Sequence, residues 1–136
     1  MDAPRSELAP GHIVIHVNDL DESLKFYRAV GLPEGEREDD IALLELRGGT
    51  HILLVRKNGV YDNIYENSRY GQRESETIDL MIRGKSYEDL EKYRNEIASA
   101  GISVDEIPEE MLYGHNYLTL CDPDGIVLTI YTSHEF

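Results

Sequence analysis

Apolar residues follow two different spacings near the start of the chain, and each spacing predicts one element. His12 to Val17 (HIVIHV) is a β-branched run with alternating character, which predicts a strand. Asp19 and Glu22 then form a helix-capping pattern. The apolar residues of the predicted helix follow the 3.6-residue period: Leu20, Leu24, Tyr27 and Val30. Gly31 and Pro33 end this helix.

The same series returns in the second half of the chain. Residues 77–82 predict a strand, and Ser86 with Asp89 forms a second capping pattern. The helix that follows ends at Gly101 and carries a second apolar stripe: Leu90, Tyr93, Ile97 and Ala100. In the first half, predicted strands at 41–46 and 51–55 flank the turn Gly48-Gly49. In the second half, strands are predicted at 102–107, 117–120 and 126–131, and the last two flank the turn Asp122-Pro123-Asp124-Gly125.

An offset of about 65 residues superimposes the beginnings of the two halves, and this internal repeat decides the predicted fold. We expect an α+β fold of two tandem βαβββ units. Residues 1–136 then form one domain, with unit one at about 11–57 and unit two at about 75–132.

The segment between the units, 58–74, is polar and long for a connector in a compact domain. It contains three tyrosines and two arginines: Tyr61, Tyr65, Tyr70, Arg69 and Arg73. Two interpretations stay open, an inter-unit linker and a loop that closes over a binding site.

Composition narrows the classes of function. The chain has 13 Lys and Arg against 27 Asp and Glu, a formal net charge of −14, which disfavours nucleic acid and anionic membranes as partners. The acidic runs at 34–40 and 105–110 are expected to be solvated loops. Residues 1–10 lack an apolar signal-peptide core and the single cysteine, Cys121, is expected to be structural, so we expect a cytoplasmic protein.

Two segments carry a family resemblance. GHIVIHVNDLDESLKFYRAVGL, followed near the C-terminus by YLTLCDPDGIVLTIY, resembles the vicinal oxygen chelate superfamily over residues 11–132. That superfamily includes glyoxalase I, extradiol dioxygenases and bleomycin-resistance proteins. The resemblance implies a curved eight-stranded mixed sheet around a cavity, with the helices outside, and a homodimer.

Metal-dependent members hold a divalent ion with His or Glu from the first and last strand of each unit. Carried onto this chain, those four positions fall on His12, Leu53, Thr77 and Thr129. Only His12 is a suitable ligand. The resemblance therefore implies that the usual metal site is missing, and we expect no cofactor. A relocated divalent metal site is the alternative.

Because side chains two apart on a strand share a face, the polar residues near these positions are the candidate ligand-binding residues. The candidates are His12, His16, His51, Asp79, Tyr117, Thr119, Thr129 and Tyr131. Asp79 stands on an otherwise apolar strand, where an unpaired carboxylate is costly. Two expectations stay open: it pairs with Arg56, Arg83 or a histidine, or it binds a cationic group or acts as a general base. His115 and His134 are expected on the surface.

Two functions fit this pattern. The first is a small-molecule-binding protein of glyoxalase/bleomycin-resistance type that sequesters an antibiotic or aromatic metabolite without a metal. The second is a lyase, isomerase or dioxygenase-like enzyme, with a rearranged metal site or with Asp79 and a histidine as a metal-free acid–base pair.

Overall fold

The repeat is visible in the order of the secondary-structure elements. The structure, a computed structural model, describes residues 12–47, 50–59, 77–112 and 114–133. Within those ranges the elements are β1 (His12–Val17), α1 (Leu20–Val30), β2 (Glu34–Glu38), β3 (Ile41–Glu45), β4 (His51–Arg56), β5 (Thr77–Met81), α2 (Tyr87–Ser99), β6 (Tyr117–Cys121) and β7 (Val127–Tyr131).

The strands form two sheets with matching topology. Sheet one has the order β1-β4-β3-β2 and sheet two the order β5-β7-β6. In each sheet the first strand runs parallel to the last, with His12 opposite His51 in sheet one and Thr77 opposite Val127 in sheet two. The last strand is antiparallel to the strand before it in both. The predicted α+β fold is confirmed.

One acidic run is a strand and not the predicted solvated loop. Residues Glu34–Glu38 form β2, which pairs with β3 at the edge of sheet one. The prediction was wrong because it relied on an apolar period, whereas this edge strand is held by its backbone ladder. Charged side chains are tolerated there, since they discourage pairing with another molecule.

The equivalent segment of unit two, residues 102–107, is not the predicted strand but has no regular structure. It still runs beside β6, where the Asp105 N–H donates to the Thr119 carbonyl at 3.3 Å. Arg94 on α2 donates to the carbonyls of Val104 and Asp105, at 3.3 and 3.0 Å. Hydrogen bonds from the Arg94 side chain to these carbonyls thus take the place of the backbone ladder of an edge strand.

Both helices begin at the capping residues that the sequence predicts. The Asp19 carboxylate accepts from the Glu22 N–H at 3.1 Å. Ser86 and Asp89 form a reciprocal capping box, with bonds of 3.1 and 3.2 Å. The bond from Ser86 lowers the pKa of the Asp89 carboxyl. Gly31 ends α1 with φ 116°, a left-handed conformation that favours glycine.

One hydrophobic core joins the two units. It contains the predicted stripe of α1, Leu90 and Ile97 from α2, and the helix-facing residues of both sheets, among them Ile15, Ala42, Leu54, Leu118 and Ile130. Each of these strand residues alternates with one that faces away from the helices. No helix within the described ranges is long and apolar enough to cross a bilayer.

A buried hydrogen bond fastens unit one to the last turn of unit two. The Tyr27 hydroxyl donates to the Asp122 carboxylate at 2.7 Å, and Tyr27 has no exposed surface. The other oxygen of Asp122 accepts from the N–H groups of Asp124 and Ile126, both at 2.8 Å. Asp124 in turn accepts from the Asn18 N–H at 2.9 Å. The turn is therefore both folded and docked by the same carboxylates.

A second tyrosine bridges the units from the other side. The Tyr93 hydroxyl on α2 donates to the Val30 carbonyl at the end of α1, at 2.6 Å. Burial raises the pKa of Tyr93 to about 12, with a smaller contribution from Glu96. Burial, followed by the bond to Asp122, raises the pKa of Tyr27 still further.

We predict that Tyr27→Phe lowers the free energy of unfolding by about 1–3 kcal/mol, because it leaves a buried carboxylate oxygen without its donor. Urea unfolding followed by circular dichroism measures the change. The control is Tyr87→Phe, since Tyr87 is 42% exposed. Equal stability of the two variants would contradict the role of the Tyr27–Asp122 bond.

We also predict a loss of stability in alkali. Both phenols have a higher pKa in the folded protein than the usual value of about 10, so their contribution is fully present below that pH. It is lost as pH rises, and the Tyr93 share is gone above about pH 12. The free energy of unfolding should fall more steeply between pH 10 and 12 in the wild type than in Tyr27→Phe/Tyr93→Phe. Parallel slopes would refute the assignment.

Candidate functional site

The predicted site residues lie on the sheet faces that point away from the helices, here called the far faces. Strand alternation puts Ile15 and Val17 of β1 in the core, so His12, Val14 and His16 face the other way. The strands β1-β4-β3 of sheet one correspond to β5-β7-β6 of sheet two. Across each set of three strands, the register groups the far-face residues into three rows. Each row of sheet one has an equivalent row in sheet two.

The first row of sheet one is a cluster of titratable side chains: His12, His51 and Glu45. The His12 and His51 rings lie with their centroids 5.8 Å apart. The Nε2 atom of His51 lies 2.9 Å from a carboxylate oxygen of Glu45. The sequence predicted the two histidines together but missed Glu45, because its place beside His51 depends on the β3–β4 register.

The middle row of sheet one is apolar, with Val14, Leu53 and Leu43 side by side. Leu53 is only 5% exposed, and its neighbour in the third row, Val55, is fully buried. His16 shares that third row. It is thus on the same face as His12 and His51 but two rows away from them.

The middle row of sheet two is polar where its equivalent is apolar. Asp79 on β5 lies opposite Thr129 on β7, and Thr129 lies opposite Thr119 on β6. The row continues into the neighbouring segment, where the Thr119 hydroxyl donates to the Asp105 carboxylate at 3.0 Å. A carboxylate, two hydroxyls and a second carboxylate therefore cross the sheet in one line.

Asp79 is not a buried charge. Its side chain is exposed, so the desolvation argument for a structural partner does not apply. Arg56, one of its proposed partners, pairs instead with Asp40 at 2.6 Å. Among the residues that the structure describes, none forms an ion pair or side-chain hydrogen bond with the Asp79 carboxylate.

The third row of sheet two contains two tyrosines and Met81, which lies opposite Tyr131 on β5. Tyr117 lies opposite Tyr131, and their ring centroids are 6.1 Å apart. The His115 and Tyr131 rings form a T-shaped contact with their centroids 5.9 Å apart. The prediction that His115 is a surface residue was wrong: it is 6% exposed. Its Nδ1 lies 2.6 Å from the Thr132 carbonyl, which can only accept, so Nδ1 carries the proton.

The sequence also matches a family model. Residues 9–130 match the model described as Glyoxalase/Bleomycin resistance protein/Dioxygenase superfamily. The chain belongs to this superfamily. The predicted resemblance is therefore confirmed, although the superfamily contains several kinds of activity. A comparison with curated proteins finds no match.

Solved structures of the superfamily fold cover nearly the whole chain. An integron cassette protein from the mobile metagenome of V. cholerae has a TM-score of 0.73 at 17% identity, covering 97% of this chain and 100% of its own. Lactoylglutathione lyase from Agrobacterium tumefaciens has a TM-score of 0.71 at 15% identity, with 95% and 96% covered. The oxidase ChaP-H2 has a TM-score of 0.66 at 16% identity, with 96% and 97% covered. These likenesses show the fold alone.

The donor set at the superfamily's metal positions does not fit a divalent ion. Leu53 offers no donor atom and packs in the apolar middle row. Its equivalent, Thr129, is a poor ligand. Thr77 lies in β5. Among the described residues no group of three or more His, Cys, Asp or Glu is arranged to hold a metal.

Two features that the sequence analysis singled out lie outside the described residues: residues 60–74 of the inter-unit segment, and His134. Cys121 is exposed at the end of β6. It belongs to the first row of sheet two, opposite Val127, at the position equivalent to Glu45 in sheet one.

A matched pair of substitutions tests the difference between the middle rows. We predict that Leu53→Asn lowers the free energy of unfolding by about 2–4 kcal/mol, because it buries an amide among apolar neighbours. Thr129→Asn, at the equivalent position in the polar row, should cost less than about 1 kcal/mol. Denaturant unfolding measures both. Similar losses would mean that the two positions have similar surroundings.

Proposed function

We propose that this member of the superfamily is a small-molecule-binding protein of glyoxalase/bleomycin-resistance type that works without the usual metal. The observation that carries the proposal is the apolar row around Leu53, a packed side chain at a position where the resemblance implies a metal ligand. Superfamily membership supports a ligand-binding role, and the poor donors at three of the four expected ligand positions, Leu53, Thr77 and Thr129, argue against the metal-dependent activities.

The far faces offer what a small organic ligand needs. Sheet one contributes the apolar middle row and the His12–His51 pair. Sheet two contributes hydroxyls, a carboxylate and the Tyr117–Tyr131 rings. Binding sites of this kind combine apolar or aromatic surface with a few polar groups that orient the ligand. We propose an antibiotic or aromatic metabolite as the ligand, a cytoplasmic protein, and a homodimer as the working form.

A specific observation favours one alternative. The His51–Glu45 contact at 2.9 Å beside the His12 ring is an imidazole–carboxylate pair on the far face. Such a pair can accept and return a proton, with the carboxylate orienting the ring. It supports a metal-free isomerase or lyase in which the pair acts as general base, in place of the Asp79–histidine pair that the sequence suggested.

We expect a ligand in a panel of aromatic metabolites and antibiotics to raise the melting temperature of the purified protein. Saturation to one hundred times Kd stabilises the folded state by about 2.7 kcal/mol, which corresponds to several degrees. Manganese, iron, nickel and zinc salts should leave the melting temperature unchanged. Tyr131→Leu is the control, since it removes a far-face ring while keeping an apolar side chain.

Elemental analysis of protein purified without a chelating tag separates the proposal from a rearranged metal site. One transition ion per chain that is lost in His12→Ala would overturn the metal-independent function. A panel in which no compound shifts the melting temperature would remove the support for a binding protein and leave the His51–Glu45 alternative.

A further inference from the structure

The two far faces differ most in their middle rows, and this difference bears on what the ligand is. Position by position, Val14, Leu53 and Leu43 in sheet one correspond to Asp79, Thr129 and Thr119 in sheet two. The core-facing residues of the same strands stay apolar in both units. A polar row on one far face only is therefore a local feature of unit two.

Asp79 has the properties of a carboxylate available to a ligand. It is exposed, and no cation among the described residues neutralises it. The nearest far-face neighbours across β7 and β6 are the Thr129 and Thr119 hydroxyls, which are uncharged. The other carboxylate of the row, Asp105, already accepts a hydrogen bond from Thr119.

The tyrosines of the third row supply aromatic surface near Asp79, with their two rings tilted by 38° to each other. Tyr131 follows Thr129 by two positions on β7, so it lies diagonally from Asp79, at about 8 Å between the backbones. Its ring contacts two others, with the centroid of Tyr117 at 6.1 Å and that of the buried His115 at 5.9 Å in a T-shaped contact. Because His115 is itself anchored to the Thr132 carbonyl, this surface is formed before a ligand arrives.

We propose that unit two recognises the amine end of the ligand, and that the ligand class is aromatic or alicyclic organic monocations. The ammonium group pairs with Asp79, and the ring attached to it by a short chain stacks on Tyr131, with Tyr117 beside it. Tyrosine faces also attract cations, so the charge and the ring favour the same placement. This inference rests on the proposed binding function and adds the chemistry of its ligand.

Three probes of matched size test the charge requirement. Tyramine is cationic at pH 7, tyrosol is its neutral analogue, and 4-hydroxyphenylacetate is its anionic analogue. We expect tyramine to bind most tightly and the anion least, as measured by amide chemical-shift titration at 0.15 M salt. Asp79→Asn should weaken tyramine binding by roughly three- to tenfold and leave tyrosol binding unchanged.

Asp105→Asn is the matched control. It removes one negative charge from the same row, and asparagine still accepts the Thr119 hydrogen bond. Asp105 lies about three strand spacings from Asp79, roughly 14 Å, which exceeds the screening length of about 8 Å at this salt. Its effect on tyramine should stay below about twofold. Melting temperatures of both variants verify that they are folded.

The outcomes separate this inference from the proposed function. Equal binding of tyramine and tyrosol, or equal weakening by the two aspartate variants, overturns the amine assignment. Binding of other panel compounds but none of these three probes overturns it too, while the binding function stands. A protein that binds nothing in the panel overturns both.

Discussion

Within the interface between the two units, the buried bond between Tyr27 and Asp122 fixes the last turn of unit two against α1. Asp122 folds the last turn by accepting from two backbone N–H groups, and the same carboxylate receives the Tyr27 hydroxyl from α1. Tyr27 is fully buried and Asp122 nearly so, so neither group has water as a substitute partner. One side-chain pair thus sets both the β6–β7 turn and its position against unit one.

The core-facing residues and the far-face residues of the two sheets are under different constraints. The core-facing residues of both sheets pack into one cluster with α1 and α2 and stay apolar. The far-face residues alternate with them on the same strands, yet they include histidines and leucine in unit one and aspartate, threonine and tyrosine in unit two. Alternation along a strand lets one face keep the fold while the other changes its chemistry.

The sequence predicted the elements whose signals are local. The two helices and their capping residues follow from spacing within short segments. The placement of His12 and His51 on one face came from the family resemblance, which aligned the first and last strands of unit one. Strand β2 was missed because its residues carry charge and its pairing is a backbone property of an edge. Glu45, Asp105 and buried His115 were missed because their contacts depend on which strands become neighbours and in which register. Spacing within one segment does not contain that information.

The register also distinguishes two equivalent positions by their neighbours. Leu53 and Thr129 lie on equivalent strands, but one lies in an apolar row and the other in a row of hydroxyls and a carboxylate. The neighbours of each position match it in polarity, because the register places Val14 and Leu43 beside Leu53, and Asp79 and Thr119 beside Thr129. This difference between the two rows supports the proposal of an asymmetric organic ligand.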